Sequence, residues 1–250
     1  MSLRYFEIAE ADHRIQNPLS EEKLRLLGDV CGVSADTTLL DLACGKGELL
    51  SRWAARHGAA GTGVDVSDVF LAAARERAAD LGVADRVAFV REDAAEYPVA
   101  DHDADVVSCL GATWIGGGLR GTLRLLAPAT RDESSFVLVG EPYWTEEPPA
   151  EAVSALADGD RDRYGTLPEV LDRVAAEGFD LVEMVLADGD DWDRYEARHW
   201  KTVDEWLRAN PDHPDAADLR ARRDESRREY LTYGRRYFGW GVFVLRRAPV

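Results

Sequence analysis

The chain has 250 residues, within what a single α/β domain fills, and 46% of them are apolar, enough for a full core. Thirty basic residues against 47 acidic ones leave a net charge of −17. A surface that negative repels phosphate backbones and anionic headgroups, so neither nucleic acid nor a membrane is an expected partner. No uncharged apolar run approaches the ~18 residues of a membrane helix. The opening MSLRYFEIAEADH lacks the apolar core of a secretory signal, and Cys31, Cys44 and Cys109 show no paired or metal-cluster spacing. A reducing cytoplasm is the expected compartment.

Taken in chain order, residues 1–35 read as a polar arm and then a helix capped by Ser20, with Leu24 and Leu27 on its apolar face; this segment is expected to act as a lid. TTLLDL (37–42) is a first strand, followed by ACGKG and a helix carrying Leu49, Leu50 and Trp53 that stops at Gly58. GTGVDVS (61–67) is a second strand, and Phe70, Ala74, Ala78 and Leu81 mark the helix after it. RVAFVRED (86–93), ADVVSCL (104–110) and SSFVLVGE (134–141) are the next strands, with a helix through Leu123 and Leu126 before the last of them. Thr166 and Glu169 form a capping box ahead of a helix that ends at Gly178, and DLVEMVLAD (180–188) is a sixth strand.

The rhythm then breaks. Residues 189–239 read as helices separated by NPDHPD (210–215), before a final strand, GVFVL (241–245). The alternation predicts an α/β fold with a doubly wound, mostly parallel sheet of seven strands and helices on both faces. Residues 36–188 plus 240–250 form its core, and 189–239 is a helical cap inserted between strands six and seven. The cap is rich in aromatics, among them Trp192, Tyr195, Trp200, Trp206 and Tyr230.

The densest chemistry lies in LLDLACGKGE (39–48). Gly45 and Gly47 sit at a strand-to-helix turn, where missing side chains let backbone approach a ligand and free helix N–H groups favour a polar one. Asp65 and Asp93 follow at the ends of the second and third strands. The first suits the two hydroxyls of a ribose. The second, with the Ala94 N–H, suits an adenine edge. Two adenosine cofactors compete for such a site. A nicotinamide dinucleotide wants a third small residue in the glycine pattern, and Leu50 stands there. S-adenosylmethionine instead needs a carboxylate for its ammonium group, which Asp41 supplies.

These motifs, DLACGKGE (41–48), GVDVS (63–67), REDA (91–94), ADVVSCLGATW (104–114) and FVLVGEPYW (136–144), resemble those of class I S-adenosylmethionine-dependent methyltransferases. HRIQNP (13–18) and GATWIGGG (111–118) look like a bacterial, small-molecule-type branch of that superfamily. The resemblance implies that the last strand is antiparallel and lies between the fifth and sixth. It places Asp41, Gly45 and Gly47 at the methionine portion of the cofactor, Asp65 at the ribose and Val66 beside the adenine. Asp93 and Ala94 would read the adenine edge, and Leu110 would sit beside the sulfonium. Ala43 stands where the commonest loop of the family has glycine.

Methyl transfer from a sulfonium is an in-line displacement that needs a dry, aligned site, and a base only if the nucleophile starts protonated. Candidate bases are His13, Glu141 and His199; Trp114, Tyr143, Trp144 and Trp192 are expected to shape the acceptor pocket. The loop LGATW is not the Asn/Asp-Pro-Pro-aromatic sequence of relatives that methylate adenine in DNA. A small-molecule acceptor, methylated on oxygen or nitrogen rather than carbon, with S-adenosylhomocysteine as the second product, is the expected reaction. No histidine–carboxylate set has metal-ligand spacing, so no metal is expected; a homodimer is compatible with the pattern. A nicotinamide-dependent oxidoreductase and a non-catalytic cofactor-binding module remain the alternatives.

Overall fold

A computed structural model describes residues 3–249; the outermost residues of the expected arm and core, 1–2 and 250, lie outside the described part. Seven strands, β1 (Thr38–Leu42), β2 (Ala60–Asp65), β3 (Val87–Arg91), β4 (Val106–Leu110), β5 (Phe136–Trp144), β6 (Phe179–Leu186) and β7 (Phe238–Arg247), form one sheet in the order β3-β2-β1-β4-β5-β7-β6. β1 to β5 pair in parallel, and β7 runs antiparallel to both β5 and β6. The winding direction reverses between β1 and β4, and a crevice opens at such a switch point beyond the carboxyl ends of the strands.

Strand alternation divides the core between the two faces of the sheet. Leu39, Val106, Leu138, Val242 and Val244 point to one side, where they meet Leu24 and Leu27 of α2 (Glu21–Val30) and Leu50 and Trp53 of α3 (Glu48–His57). Their neighbours Leu40, Val107, Val137, Val139 and Phe243 point to the other, against Leu123 and Leu126 of α5 (Leu119–Leu126) and Val170 and Val174 of α7 (Leu167–Ala176). A one-residue slip in any strand would exchange these sets, so the pattern specifies the register. α4 (Asp68–Asp80) packs beside β3, capped by Ser67, whose hydroxyl accepts from the Phe70 N–H.

Two short helices lack a signature in the sequence pattern. α1 (Leu3–Ala9) forms because Ile8 and Ala9 find an apolar face on Val203, Leu207 and Leu219 of the later helices. α6 (Ala150–Leu156) likewise buries Val153 against Trp144. The cap consists of α8 (Gly189–Ala209), opened by an Asp188/Asp191 capping box, and α9 (Ala216–Glu229). A π-helical turn, Tyr230–Gly234, leads back toward β7.

β5 and β7 both run further than their apolar runs suggest. Tyr143 pairs with Gly239 and Trp144 with Phe238 across the antiparallel ladder. Pro142 is tolerated because this end of β5 has outrun β4, whose last partner is Gly140. Among the described residues, no helix is long and apolar enough to cross a membrane.

Candidate active site

A cavity of about 1120 Å³ opens at the switch point and continues under the cap. Its floor is the row of strand ends. Asp41, at the end of β1, is buried and accepts a hydrogen bond from the Ser108 hydroxyl at 2.7 Å. Burial pushes its carboxyl up to about 7, against the pull of Ser108 and with a further push from the Asp65 charge. Asp65, at the end of β2, accepts from the Gly45 and Ser67 N–H groups, both at 2.8 Å. Burial still leaves its carboxyl above the ordinary range, although those N–H groups pull it down. Asp93 accepts from the Ala95 N–H at 2.9 Å, and among the described residues nothing accepts from the Ala94 N–H beside it.

The glycine loop explains its own composition. Gly45 has φ +55°, and a Cβ there would lie 2.2 Å from Gln16 Oε1. Gly47 has φ +63°, and its Cβ would lie 2.4 Å from Phe89 Cε1. The first glycine therefore leaves room at the cavity, and the second lets α3 close on the sheet. Ala43 holds φ +56°, a region where a Cβ costs about 1 kcal/mol.

Asp41, Ala43, Gly45, Asp65, Val66, Asp93, Ala94 and Leu110 all line the cavity. Gly47 is not among the lining residues; a Cβ there would meet Phe89 and Ala74. Trp114, two-thirds exposed, and Trp192 line the same cavity. Tyr143 and Trp144 do not, and this is a correction. The extended β5 ladder carries them into the interior, where Tyr143 joins the main core and Trp144 donates from Nε1 to the Arg161 carbonyl.

The arm crosses the mouth of the cavity and is tied to the glycine loop. Lys46 donates to the carbonyls of Glu10, Ala11 and His13 at 2.7, 2.8 and 2.7 Å. Its own N–H donates to Gln16 Oε1, and Asn17 Nδ2 donates to the Leu110 carbonyl. At the end of this arm, buried Glu10 meets the cap. Glu10 Oε1 lies 2.8 Å from the Tyr195 hydroxyl, which donates to it, and 2.8 Å from His199 Nε2. Burial works against ionisation of Glu10, but the His199 hydrogen bond and charge, with His13 and Tyr195, bring its carboxyl below the ordinary range. Burial also opposes the charge on His199, and Glu10 outweighs it, raising the imidazole. The two side chains form one hydrogen-bonded pair between arm and cap.

Of the candidate bases, only His199 lines the cavity. His13 stands behind Glu10, buried, with Nε2 bonded to the Tyr195 carbonyl at 3.0 Å. Burial lowers its pKa to about 4 against the attraction of Glu10. Glu141 is sealed: it has no solvent exposure, and among the described residues neither carboxylate oxygen has a partner that meets hydrogen-bond geometry. Burial raises it to about 7, with Thr113 and Arg173 opposing. As a direct base in the cavity it is corrected to a buried carboxyl. Glu10, His13 and His199 bring ligand atoms within 4.8 Å of one another, a proximity made by the fold and not by sequence spacing. Glu10 and Lys46 escaped sequence reasoning; the Glu-x-x-His spacing of Glu10 and His13 was the available signal.

Residues 39–129 match the family model of the methyltransferase domain. The chain is 46% identical over 243 residues to the uncharacterized protein YjhP of Escherichia coli, covering 97% of each. A stretch of 109 residues is 36% identical to a ubiquinone/menaquinone biosynthesis C-methyltransferase of Ectopseudomonas mendocina, covering 41% of this chain and 43% of that one. A methyltransferase structure from Geobacter sulfurreducens with S-adenosylhomocysteine superposes with a TM-score of 0.94, at 46% identity and 98% coverage of both chains. Its counterpart from Thiobacillus denitrificans, with the same ligand, gives 0.93 at 44% identity, covering 98% of this chain and 99% of that one. The chain belongs to the class I S-adenosylmethionine-dependent methyltransferases. Its cofactor is S-adenosylmethionine, and the oxidoreductase and non-catalytic alternatives fall away.

Proposed function

We propose that this enzyme transfers the methyl group to a small-molecule acceptor, on oxygen or nitrogen, inside the cavity between the sheet edge, the arm and the cap. The observation that carries this reading is the continuity of that cavity. It runs from Asp41, Asp65 and Asp93 at the strand ends to Trp192, Tyr195 and His199 on the cap. Its volume of about 1120 Å³ leaves space for a modest acceptor beside a nucleoside cofactor. The arm and cap border it, and a displacement at a sulfonium favours a site that excludes water. The net charge of −17 supports the exclusion of nucleic acid as acceptor, and a cytoplasmic location belongs to the same reading.

When bound, S-adenosylmethionine supplies an electrophilic methyl group. In this reading the chain's residues hold and align. Asp41 takes the ammonium group, beside the turn made by Ala43 and Gly45. Asp65 takes the ribose hydroxyls, Val66 covers the adenine, Asp93 and the Ala94 N–H read its edge, and Leu110 walls the sulfonium. The donor set fits, because the carboxylates stand at successive strand ends on one cavity floor. Residues 3–35 act as a lid and 189–237 as the cap over the acceptor. His199, the candidate base that reaches the cavity, faces the acceptor together with Glu10.

Carbon is the second reading, favoured by the partial identity to the quinone C-methyltransferase. Transfer from methyl-labelled S-adenosylmethionine to a panel of phenols, carboxylates, amines and activated carbon acids separates the two. Label on an oxygen or nitrogen product is expected. Label appearing on carbon alone, or on a nucleic acid, would sink the proposal.

A further inference from the structure

We infer that Glu10, His13 and His199 form a binding site for a divalent transition-metal ion of the zinc class, with a coordination position open to the acceptor cavity. The use of that open position rests on the function proposed above, but the binding of the ion does not.

The argument starts from a proton that has nowhere to be. His13 Nε2 lies 3.0 Å from the Tyr195 carbonyl, which can only accept, so Nε2 carries the hydrogen. The Nδ1 of the neutral ring is then a bare lone pair. It faces Glu10 Oε2 at 3.4 Å, and both atoms are buried with no hydrogen-bond partner among the described residues. Two facing acceptors sealed from water are a costly arrangement unless something positive lies between them. His199 Nε2 completes the set, within 4.8 Å of the other ligand atoms.

The geometry and chemistry suit an ion of that class. Metal–ligand bonds of about 2.0–2.2 Å in a tetrahedral site put ligand atoms roughly 3.3–3.6 Å apart, and the Glu10–His13 separation of 3.4 Å falls in that range. Two imidazoles and one carboxylate form the three-ligand set of open zinc sites. The second shell is built too. The Tyr195 carbonyl holds the far nitrogen of His13, and the Tyr195 hydroxyl holds the other oxygen of Glu10. Lys46 spends its three donors on the backbone carbonyls of Glu10, Ala11 and His13, not on the Glu10 carboxylate. Glu10 and His199 line the cavity while His13 stands behind them, so the open position points at the acceptor. An ion there would hold an acceptor's oxygen or nitrogen through a lone pair and clasp the arm to the cap.

The test is calorimetric titration of Zn²⁺ into the chelator-stripped full chain, with S-adenosylhomocysteine titrated separately and Co²⁺ uptake followed by visible absorption. One equivalent of Zn²⁺ should bind, and His13→Asn and His199→Gln should each weaken it at least about 100-fold while leaving S-adenosylhomocysteine affinity within about twofold. The Co²⁺ form of the unmodified protein should show the bands of a tetrahedral imidazole site, a result independent of how the variants fold. Absence of both Zn²⁺ uptake and those bands, or Zn²⁺ uptake indifferent to both substitutions, overturns the inference. Loss of S-adenosylhomocysteine binding by the unmodified protein would instead strike the cofactor placement and leave the zinc result standing.

Discussion

The ammonium of Lys46 and the carbonyl of His13 are 2.7 Å apart, which joins the glycine loop to the arm that crosses the cavity mouth. The same ammonium also holds the carbonyls of Glu10 and Ala11, so one side chain fixes the turn that carries Glu10 and His13. Lys46→Met keeps the length and removes all three donors. Hydrogen bonds from a charged donor are worth about 1.5–3 kcal/mol each in favourable settings, so the arm should loosen while the sheet stays intact. Hydrogen exchange should accelerate in residues 3–19 and not in β1 or β4. Unchanged protection of the arm would show that its packing on the cap suffices without the lysine.

The two loop glycines should fail differently. At Gly47 a methyl group would strike the Phe89 ring and press on the Ala74 Cβ, at a backbone angle of φ +63°. Gly47→Ala should cost roughly 2–4 kcal/mol by combined overpacking and strain, read as a lower Tm. At Gly45 the clash falls on the end of the Gln16 side chain, which can swing away. Gly45→Ala should lose stability by only about 1 kcal/mol while S-adenosylhomocysteine affinity drops. Equal losses of Tm in both variants would contradict this division.

Trp114 and Trp144 carry the same side chain in opposite settings. Trp144 is 1% exposed and anchors the cluster with Val153 and Phe238. Trp144→Ala should destabilise by about 3–5 kcal/mol. Trp114 is 66% exposed at the cavity, so Trp114→Ala should leave Tm within about 0.5 kcal/mol of the original. Its effect should appear as a raised KM for the acceptor. A Trp114→Ala enzyme with unchanged acceptor KM would remove that residue from the acceptor wall.

Glu141 predicts a pH dependence of stability. Its folded pKa, about 7, lies above the ordinary 4.5 because burial disfavours the charge. Between those values the folded state keeps a proton that the unfolded state releases, so stability falls as pH rises from about 4.5 to about 7 and levels off above. Glu141→Gln, which mimics the protonated form, should flatten that slope. It should gain up to about 3 kcal/mol over the original at pH 8, with the gain shrinking toward pH 5. Thermal melts of both proteins across this range measure it; parallel pH profiles would mean that the carboxyl titrates normally.

Much of this architecture was legible in the chain. The strands alternate with helices, and the acidic and glycine residues that line the cavity sit at the ends of apolar runs, where local pattern and geometry coincide. Asp41, Asp65 and Asp93 could be found because each ends a strand. Tyr143 and Trp144 were misplaced because the partner that draws them into the sheet, the start of β7, lies about a hundred residues away and shows no apolar run of its own. The Glu10–His199 pair spans 189 positions and depends on the cap folding over the arm. Lys46 lies within DLACGKGE, yet its partners are backbone carbonyls, which side-chain patterns do not reveal.

The central claim is that the row of strand-end carboxylates grips the nucleoside of the cofactor, with Asp65 at its ribose. Calorimetric titration of S-adenosylhomocysteine into the unmodified chain and into Asp65→Ala tests it most directly. The account predicts micromolar-class binding to the first and a loss of at least about 100-fold in the second, the scale of removing charge-assisted hydrogen bonds worth about 3 kcal/mol together. Equal affinity in the two proteins would contradict it.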